Sequence, residues 1–260
     1  MTEKTLNNRK NGMVVLLLLV LVYVASVVLF IFGVSYDILP LTLISCVWFV
    51  FGWIFFLGLK VLKPQEALVL TLFGKYVGTL KNSGFYFVNP FCTAVNPAAG
   101  TKLNQSGDVK VLGAKQPSGG VDVSIDIPTK KISLKIMTLN NNRQKINDCL
   151  GNPVEIGIAV MWRVVDTAKA VFNVDNYKEY LSLQCDSALR NIVRIYPYDI
   201  APNVDTTGDG IADEGSLRGS SEVVAARIKD EIQDKVSEAG IEILEARITY
   251  LSLIHISEPT

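Results

Sequence analysis

Histidine is nearly missing from this sequence: one occurs in 260 residues, His255, close to the end. Its absence from the rest of the chain excludes Ser-His and Cys-His nucleophile pairs. A Ser–Lys dyad stays open, though no spacing favours one. Cysteine is scarce and scattered, at Cys46, Cys92, Cys149 and Cys185. None forms a CxxC pair, so the spacing of a metal site or disulfide framework is lacking. Unpaired thiols suit a reducing compartment, and Cys92 reads as a plain small side chain rather than a reactive or acylated thiol. Net charge is lacking too, because 25 basic and 25 acidic residues cancel. With no dense basic patch away from the membrane flank, nucleic acid is not an expected partner. Gly74-Lys75 has neither the upstream glycine nor the following Ser or Thr of a phosphate loop. The expectation is no enzyme, no catalytic residue and no cofactor.

The chain is rich instead in uncharged apolar length. Two runs, Met13–Val34 and Leu41–Leu59, contain no Asp, Glu, Lys or Arg. Each holds about 20 residues, enough for a helix to cross the roughly 30 Å hydrocarbon layer. The first is longer than the apolar core of a signal peptide, and no small-x-small cleavage site follows it. Neither run has the polar face that a soluble helix normally keeps. Only Ser35-Tyr36-Asp37-Ile38-Leu39-Pro40 separates them, so a helical hairpin over residues 13–62 is expected. Lys4, Arg9 and Lys10 precede it, Lys60, Lys63, Lys75 and Lys81 follow it, and the turn has no basic residue. Basic flanks stay in the cytoplasm. This makes residues 1–12 a cytoplasmic tail and places the following domain in the cytoplasm, with a bacterial inner membrane as the expected location. Trp48, Trp53, Phe49, Phe51, Phe55 and Phe56 read as lipid-facing or helix-packing bulk. Gly52 and Gly58 permit close approach but lack the GxxxG spacing.

The remaining residues, about 190, can bury a core of their own. Glu66–Phe73 reads as a buried strand and Tyr76–Leu80 as its return. Asn82-Ser83-Gly84 turns into a strand at Phe85–Val88, stopped by Pro90. Residues 97–120, dense in Gly, Pro, Asn, Ser and Ala, read as a surface loop. Val121–Ile127 alternates as a strand, and Lys131–Leu139 continues with mixed alternation. Arg143–Asp148 and Val154–Val165 form a hairpin around Leu150-Gly151-Asn152-Pro153. In its second strand Val154, Ile156, Ile158, Val160, Trp162 and Val164 share one face. Asp166 caps a short helix through Val171. A stripe of Tyr177, Tyr180, Leu181, Gln184, Ala188, Leu189, Ile192 and Val193 marks a second helix. Ser220 or Ser221 starts a third, with Val224, Ile228, Ile232 and Val236 inside and Gly240 at its left-handed end. Ile241–Tyr250 alternates as a strand whose phase changes near Leu244, the mark of a bulge. Strands, then helices, then a returning strand indicate an α+β domain.

Asp205-Thr206-Thr207-Gly208-Asp209-Gly210-Ile211-Ala212-Asp213-Glu214 resembles the first part of a calcium loop. Asp205, Asp209 and Asp213 are the candidate ligands. Ser216 stands where the closing bidentate Glu belongs, so the expected reading is an acidic solvated loop within an insertion at 198–215, with no metal.

The order of these pieces resembles the SPFH family (stomatin, prohibitin, flotillin and HflK/HflC, or band 7). The resemblance begins at Lys63-Pro64-Gln65-Glu66, then Phe73-Gly74-Lys75-Tyr76-Val77-Gly78-Thr79-Leu80, then Gly84-Phe85-Tyr86-Phe87-Val88-Asn89-Pro90-Phe91. It continues at Asn142-Arg143-Gln144-Lys145, Gly151-Asn152-Pro153-Val154-Glu155-Ile156 and Trp162-Arg163-Val164-Val165-Asp166, and ends with Ala188-Leu189-Arg190 and Glu245-Ala246-Arg247-Ile248. It implies an SPFH/band 7 domain of antiparallel strands and packed helices over 63–250, behind the two-helix transmembrane hairpin. It also implies a homo-oligomeric scaffold that organises membrane microdomains, with membrane lipids as partners. The alternative it implies is a regulatory subunit of a membrane protease or transporter. Family members mostly carry a coiled coil after the domain, which this chain lacks. Residues 251–260, Leu251 to Thr260, read as an in-frame translation of a transposase-type sequencing adapter, so the natural protein is expected to continue beyond about Tyr250. Without that continuation, assembly is expected to be weak.

Overall fold

Both apolar runs are helical at their start, but the second does not stay α-helical. In the computed structural model, which describes residues 2–6, 11–103, 109–111, 129–141, 143–199 and 216–254, α1 covers Gly12–Ser35 and α2 covers Leu39–Phe51. From Gly52 to Gly58 the second run tightens into a 3-10 helix. A Cβ on Gly52 would stand 3.1 Å from the Trp48 ring and from the Tyr23 hydroxyl. The missing side chain lets the aromatics close in, and Trp48 stacks on Phe55 at 5.9 Å.

Helix α1 buries Gly12, Leu19, Ser26 and Gly33, one residue every seven. Leu19, Ser26 and Gly33 fall on the seam of a coiled-coil-like contact, while Gly12 packs against Phe85. Ser45, Gly52 and Gly58 are the buried positions of the second run. A Cβ on Gly33 would come within 2.7 Å of Thr42 Cγ2. Small residues are what pack helices where no hydrophobic drive separates lipid from protein. The Ser26 hydroxyl donates to Tyr23 O at 2.8 Å and the Ser45 hydroxyl to Leu41 O at 2.9 Å, so each is satisfied within its own helix. Most of the remaining apolar surface is exposed, including Leu17, Leu21, Ile31 and Ile44.

The chain divides into two units, Thr2–Asn96 with Lys130–Ser133 and Pro97–Thr129 with Leu134–Thr260. In the first, β1 (Leu59–Leu62) follows Gly58 with no linker. Then come β2 (Glu66–Leu72), β3 (Lys75–Leu80), β4 (Gly84–Phe87) and β5 (Thr93–Ala94). Strand β1 pairs antiparallel with β4, and β2 pairs antiparallel with β3 and β5. The β2–β3 turn is Phe73-Gly74, with φ of 49° and 83°, the two left-handed residues of a type I′ hairpin. Leu62, Leu68, Leu70, Leu80, Tyr86, Val88 and Cys92 form the core. The N-terminal tail is part of this unit. Leu6 N–H donates to Thr79 O at 2.9 Å, Thr79 N–H to Lys4 O at 2.8 Å, and Lys81 pairs with Glu3 at 2.6 Å. Residues 4–6 thus lie parallel to β3.

In the second unit the expected loop at 97–120 contains a short antiparallel pair, β6 (Thr101–Leu103) with β7 (Val109–Val111). The strand expected at Val121–Ile127 lies outside the described residues. Lys131–Leu139, expected as one strand, is two. β8 (Ile132–Ser133) pairs with the start of β2 in the first unit's sheet, while β9 (Met137–Asn140) pairs with β11 (Pro153–Val164). Pairing in two different sheets is what breaks the alternation between them. β10 (Gln144–Asn147) and β11 form the expected hairpin, and all six residues of its inner face are buried. Asp166 caps α3 (Thr167–Phe172), accepting from Lys169 N–H at 2.9 Å. Helix α4 (Tyr177–Val193) buries its stripe together with Cys185, except for Tyr180 and Gln184, which are half-buried.

Helix α5 (Ser221–Val236) starts after Ser220, whose side chain does not cap it; the Ser216 hydroxyl accepts from Gly219 N–H at 2.8 Å instead. Gly240 has φ 66° after a 3-10 turn at Ser237–Ala239. β12 (Ile241–Leu253) completes the sheet order β10-β11-β12. Its register jumps from Trp162↔Ile243 to Met161↔Glu245, which leaves Leu244 as the bulge, and the strand runs three residues past Tyr250.

Candidate functional site

The polar side chains of the second unit gather where β10, the turn after it and the end of α4 meet. A cleft of about 600 Å³ is lined there by Lys145, Asn147, Asp148, Cys149, Arg190 and Arg194. Arg190 and Arg194 are one helical turn apart at the end of α4, where cations also complement the helix dipole. Asp148 is the carboxylate among the lining residues, and its oxygens are already used. Oδ1 accepts from Leu150 N–H at 3.0 Å and Asn152 N–H at 2.7 Å. Oδ2 accepts from Asn152 Nδ2 at 3.0 Å and Tyr198 N–H at 3.0 Å. Three cations therefore face the cleft against one committed carboxylate, an arrangement that accepts an anion rather than activates a nucleophile.

Cys149 is exposed as a residue, but the loss of water around its thiol and the adjacent Asp148 carboxylate push it up. Nucleophilic cysteines need the opposite shift. Burial likewise pushes up the thiols of Cys92 and Cys185, and Cys92 belongs to the first unit's core. Burial pushes the Tyr177 hydroxyl up to about 12, beneath the edge of the Trp162 ring at 6.3 Å. Lys178, held below the usual lysine range by burial, spends its ammonium on Thr101 O at 2.6 Å and Ala98 O at 3.3 Å. Its role is to latch α4 onto the 97–103 segment.

A second hub centres on Asp186 of α4. Its Oδ1 accepts from Asn141 Nδ2 and from Gln144 Nε2 at 2.6 Å, and Gln144 Oε1 accepts from Arg190 Nε at 3.0 Å. These groups tie α4 to the sheet. Sequence reading missed Asp148, Lys178 and Asp186. The signal for Asp148 was present: an Asp opening a Leu-Gly-Asn-Pro turn is a side chain placed to bond the backbone two residues on. Asp205, Asp209 and Asp213 lie outside the described residues. Among the described residues no group of three or more His, Cys, Asp or Glu is placed to hold a metal ion.

The other candidate surface is the far side of β12. Among the described residues the strand is paired on one edge, by β11. A groove of about 560 Å³ runs between β12 and α5, lined by Ser221, Glu222, Ala225, Lys229, Glu245 and Arg247. It is shallow and of mixed charge, the character of a contact surface rather than of a substrate pocket. The profile of the SPFH domain / Band 7 family matches residues 60–253. No curated protein gives a significant match.

Proposed function

The chain belongs to the SPFH domain / Band 7 family, and from that premise we propose that it is an oligomeric membrane scaffold. Membership suggests a membrane scaffold-type role, and the family is generally non-enzymatic. The two apolar helices and the domain suggest membrane association. In this reading both helices span, both chain ends are cytoplasmic, and copies associate side by side to organise the lipids and proteins around them.

One observation carries the reading. Both ends of the helical pair are tied to the same unit, the C-terminal end through β1, which pairs with β4, and the N-terminal end through residues 4–6 along β3 of the neighbouring sheet. A hairpin that enters and leaves on one side fits this, and it leaves the first unit's strands no linker after the second helix on which to swing away. The edge of β12 that is unpaired among the described residues supports the association of neighbouring copies.

Topology is checked with single-cysteine variants and a membrane-impermeant thiol reagent on intact cells. Asp37→Cys should be labelled, whereas Thr2→Cys and Ser83→Cys should be labelled only after the cells are opened. Labelling of Thr2→Cys and Ser83→Cys in intact cells would reverse the orientation. Assembly is checked by mass photometry of the full chain in mild detergent. Particles at whole-number multiples of the protomer are expected. A strictly monomeric particle would sink the scaffold reading, and co-purification of a membrane protease in fixed ratio would replace it with the regulatory one.

A further inference from the structure

We propose that Phe73 and Phe91 form a stacked aromatic wedge that enters the lipid surface beside the helical pair. The proposal rests on the reading of α1 and α2 as membrane spans.

Phe73 carries two costs in one residue. Its side chain is 86% exposed, and its backbone is left-handed with φ 49°. A bulky residue at positive φ is an outlier, and the first position of a type I′ turn ordinarily goes to Asn, Asp or Gly. Strain of this kind persists where function keeps it. Phe91, 60% exposed, stacks on it with ring centroids 6.4 Å apart. Phe91 also sits in a tight turn, Asn89 to Cys92, closed by Cys92 N–H to Asn89 O at 2.9 Å and by Phe91 N–H to Asn89 Oδ1 at 3.0 Å.

Strand directions decide which way these turns face. β1 leaves the last residue of the second span, so it runs away from the membrane. β4 is antiparallel to β1 and therefore approaches it, until Val88 N–H reaches Gly58 O at 2.9 Å. The Asn89–Cys92 turn comes next. β5 then departs, and β2, antiparallel to β5, approaches and ends in Phe73-Gly74. Both aromatic turns thus lie at the membrane end of the first unit's two small sheets. The turns at the other end are polar: Lys63-Pro64-Gln65 and Lys81-Asn82-Ser83.

The depth is consistent with entry. Gly12, where α1 begins, abuts Phe85 in the middle of β4. The outward apolar surface of α1 starts immediately after, at Met13. The lipid-facing surface therefore begins farther from the membrane's centre than the two turns do. Lys75, exposed beside Phe73, is placed to keep its ammonium among headgroups while the rings go deeper. A lipid surface is the occupant that covers a small aromatic tip pointing along the spans.

The test places one environment-sensitive fluorophore at a time on the full chain in vesicles of phosphatidylcholine and phosphatidylglycerol. Three single-cysteine forms are Phe73→Cys, Phe91→Cys and Ser83→Cys, with native cysteines replaced; a fourth retains Cys46 alone. Spin-labelled lipids quench from the headgroup end or the mid-chain, and aqueous iodide quenches from the water. Labels at 73 and 91 should be blue-shifted, lose most of their emission to the shallow lipid quencher and resist iodide. The label at 83 should show the reverse. The label at 46 should respond to the mid-chain quencher. Iodide quenching at 73 and 91 with lipid quenching at 46 overturns the wedge while the spans stand. Resistance at 73 and 91 to both quenchers assigns the pair to a protein contact and also overturns it. No lipid quenching at 46 removes the spans themselves, and the wedge falls with them.

Discussion

Asp148→Ala should destabilise the second unit by about 4 kcal/mol. The substitution leaves three backbone donors, Leu150, Asn152 and Tyr198 N–H, without the carboxylate that takes them. Each orphaned donor costs roughly 1–3 kcal/mol, less where water can reach it. The loss reaches beyond one turn. Tyr198 N–H joins the β10–β11 turn to the segment after α4, and that segment holds the entry to α5 through Leu217 N–H to Pro197 O at 2.9 Å and Arg218 N–H to Tyr198 O at 3.1 Å. Hydrogen exchange on the full chain in detergent should show lost protection in the turn and at the start of α5 together. Asp148→Asn keeps the two bonds to Oδ1 and presents an amide NH2, itself a donor, to the other two donors, so about half the effect is expected. A change below about 1 kcal/mol for the alanine variant would mean that the clamp is ornamental.

Gly240→Ala should cost roughly 3 kcal/mol, and Gly74→Ala only about 1. Both glycines have a left-handed backbone, with φ 66° and 83°, so both substitutions carry the same conformational penalty. They differ in what the new methyl meets. At Gly74 nothing lies within 4 Å. At Gly240 the methyl would collide with the Asp166 carbonyl oxygen and press on the Asp166 and Lys169 side chains. Gly240 O also accepts from Val165 N–H at 2.9 Å and Asp166 N–H at 3.1 Å. Any retreat from the collision therefore strains the joint between β11, α3 and β12. Denaturant unfolding of the two variants side by side separates the terms, and equal losses would show that the joint is soft enough to absorb a methyl.

Much of this architecture could be read from residues in order, because the elements concerned state themselves locally. An uninterrupted apolar run of membrane length reads as a helix, and both runs begin as one. Six inward residues from Val154 to Val164 fix a face, and the phase slip near Leu244 marks the bulge that the pairing to Trp162 and Met161 requires. What stayed hidden depends on partners far away in sequence. Two residues at Ile132–Ser133 are a strand only because β2 lies beside them. Ser26 and Gly33 line the helix seam because another helix faces them, and the Gly12, Leu19, Ser26, Gly33 period is diluted by the apolar residues around it. The polar hubs were harder still. Asp186 looks like an ordinary surface acid until the strand and the helix that it ties together have been assembled, and Asp148 signals its own turn but not its bond to Tyr198 N–H.

The N-terminal segment along β3 has a consequence for the order of events during synthesis. Residues 2–6 leave the ribosome well before the strand they join, which is seventy-two residues downstream, as the bond from Lys4 N–H to Tyr76 Oη measures. Both apolar helices must be made before that strand exists. Residues 2–6 must therefore wait until both helices and β3 have followed them, and until they dock that edge of β3 stands bare. Contacts so far apart along the chain form slowly, and a bare edge invites pairing with another chain. The docking of five residues therefore closes a window in which newly made copies could join through the wrong strand.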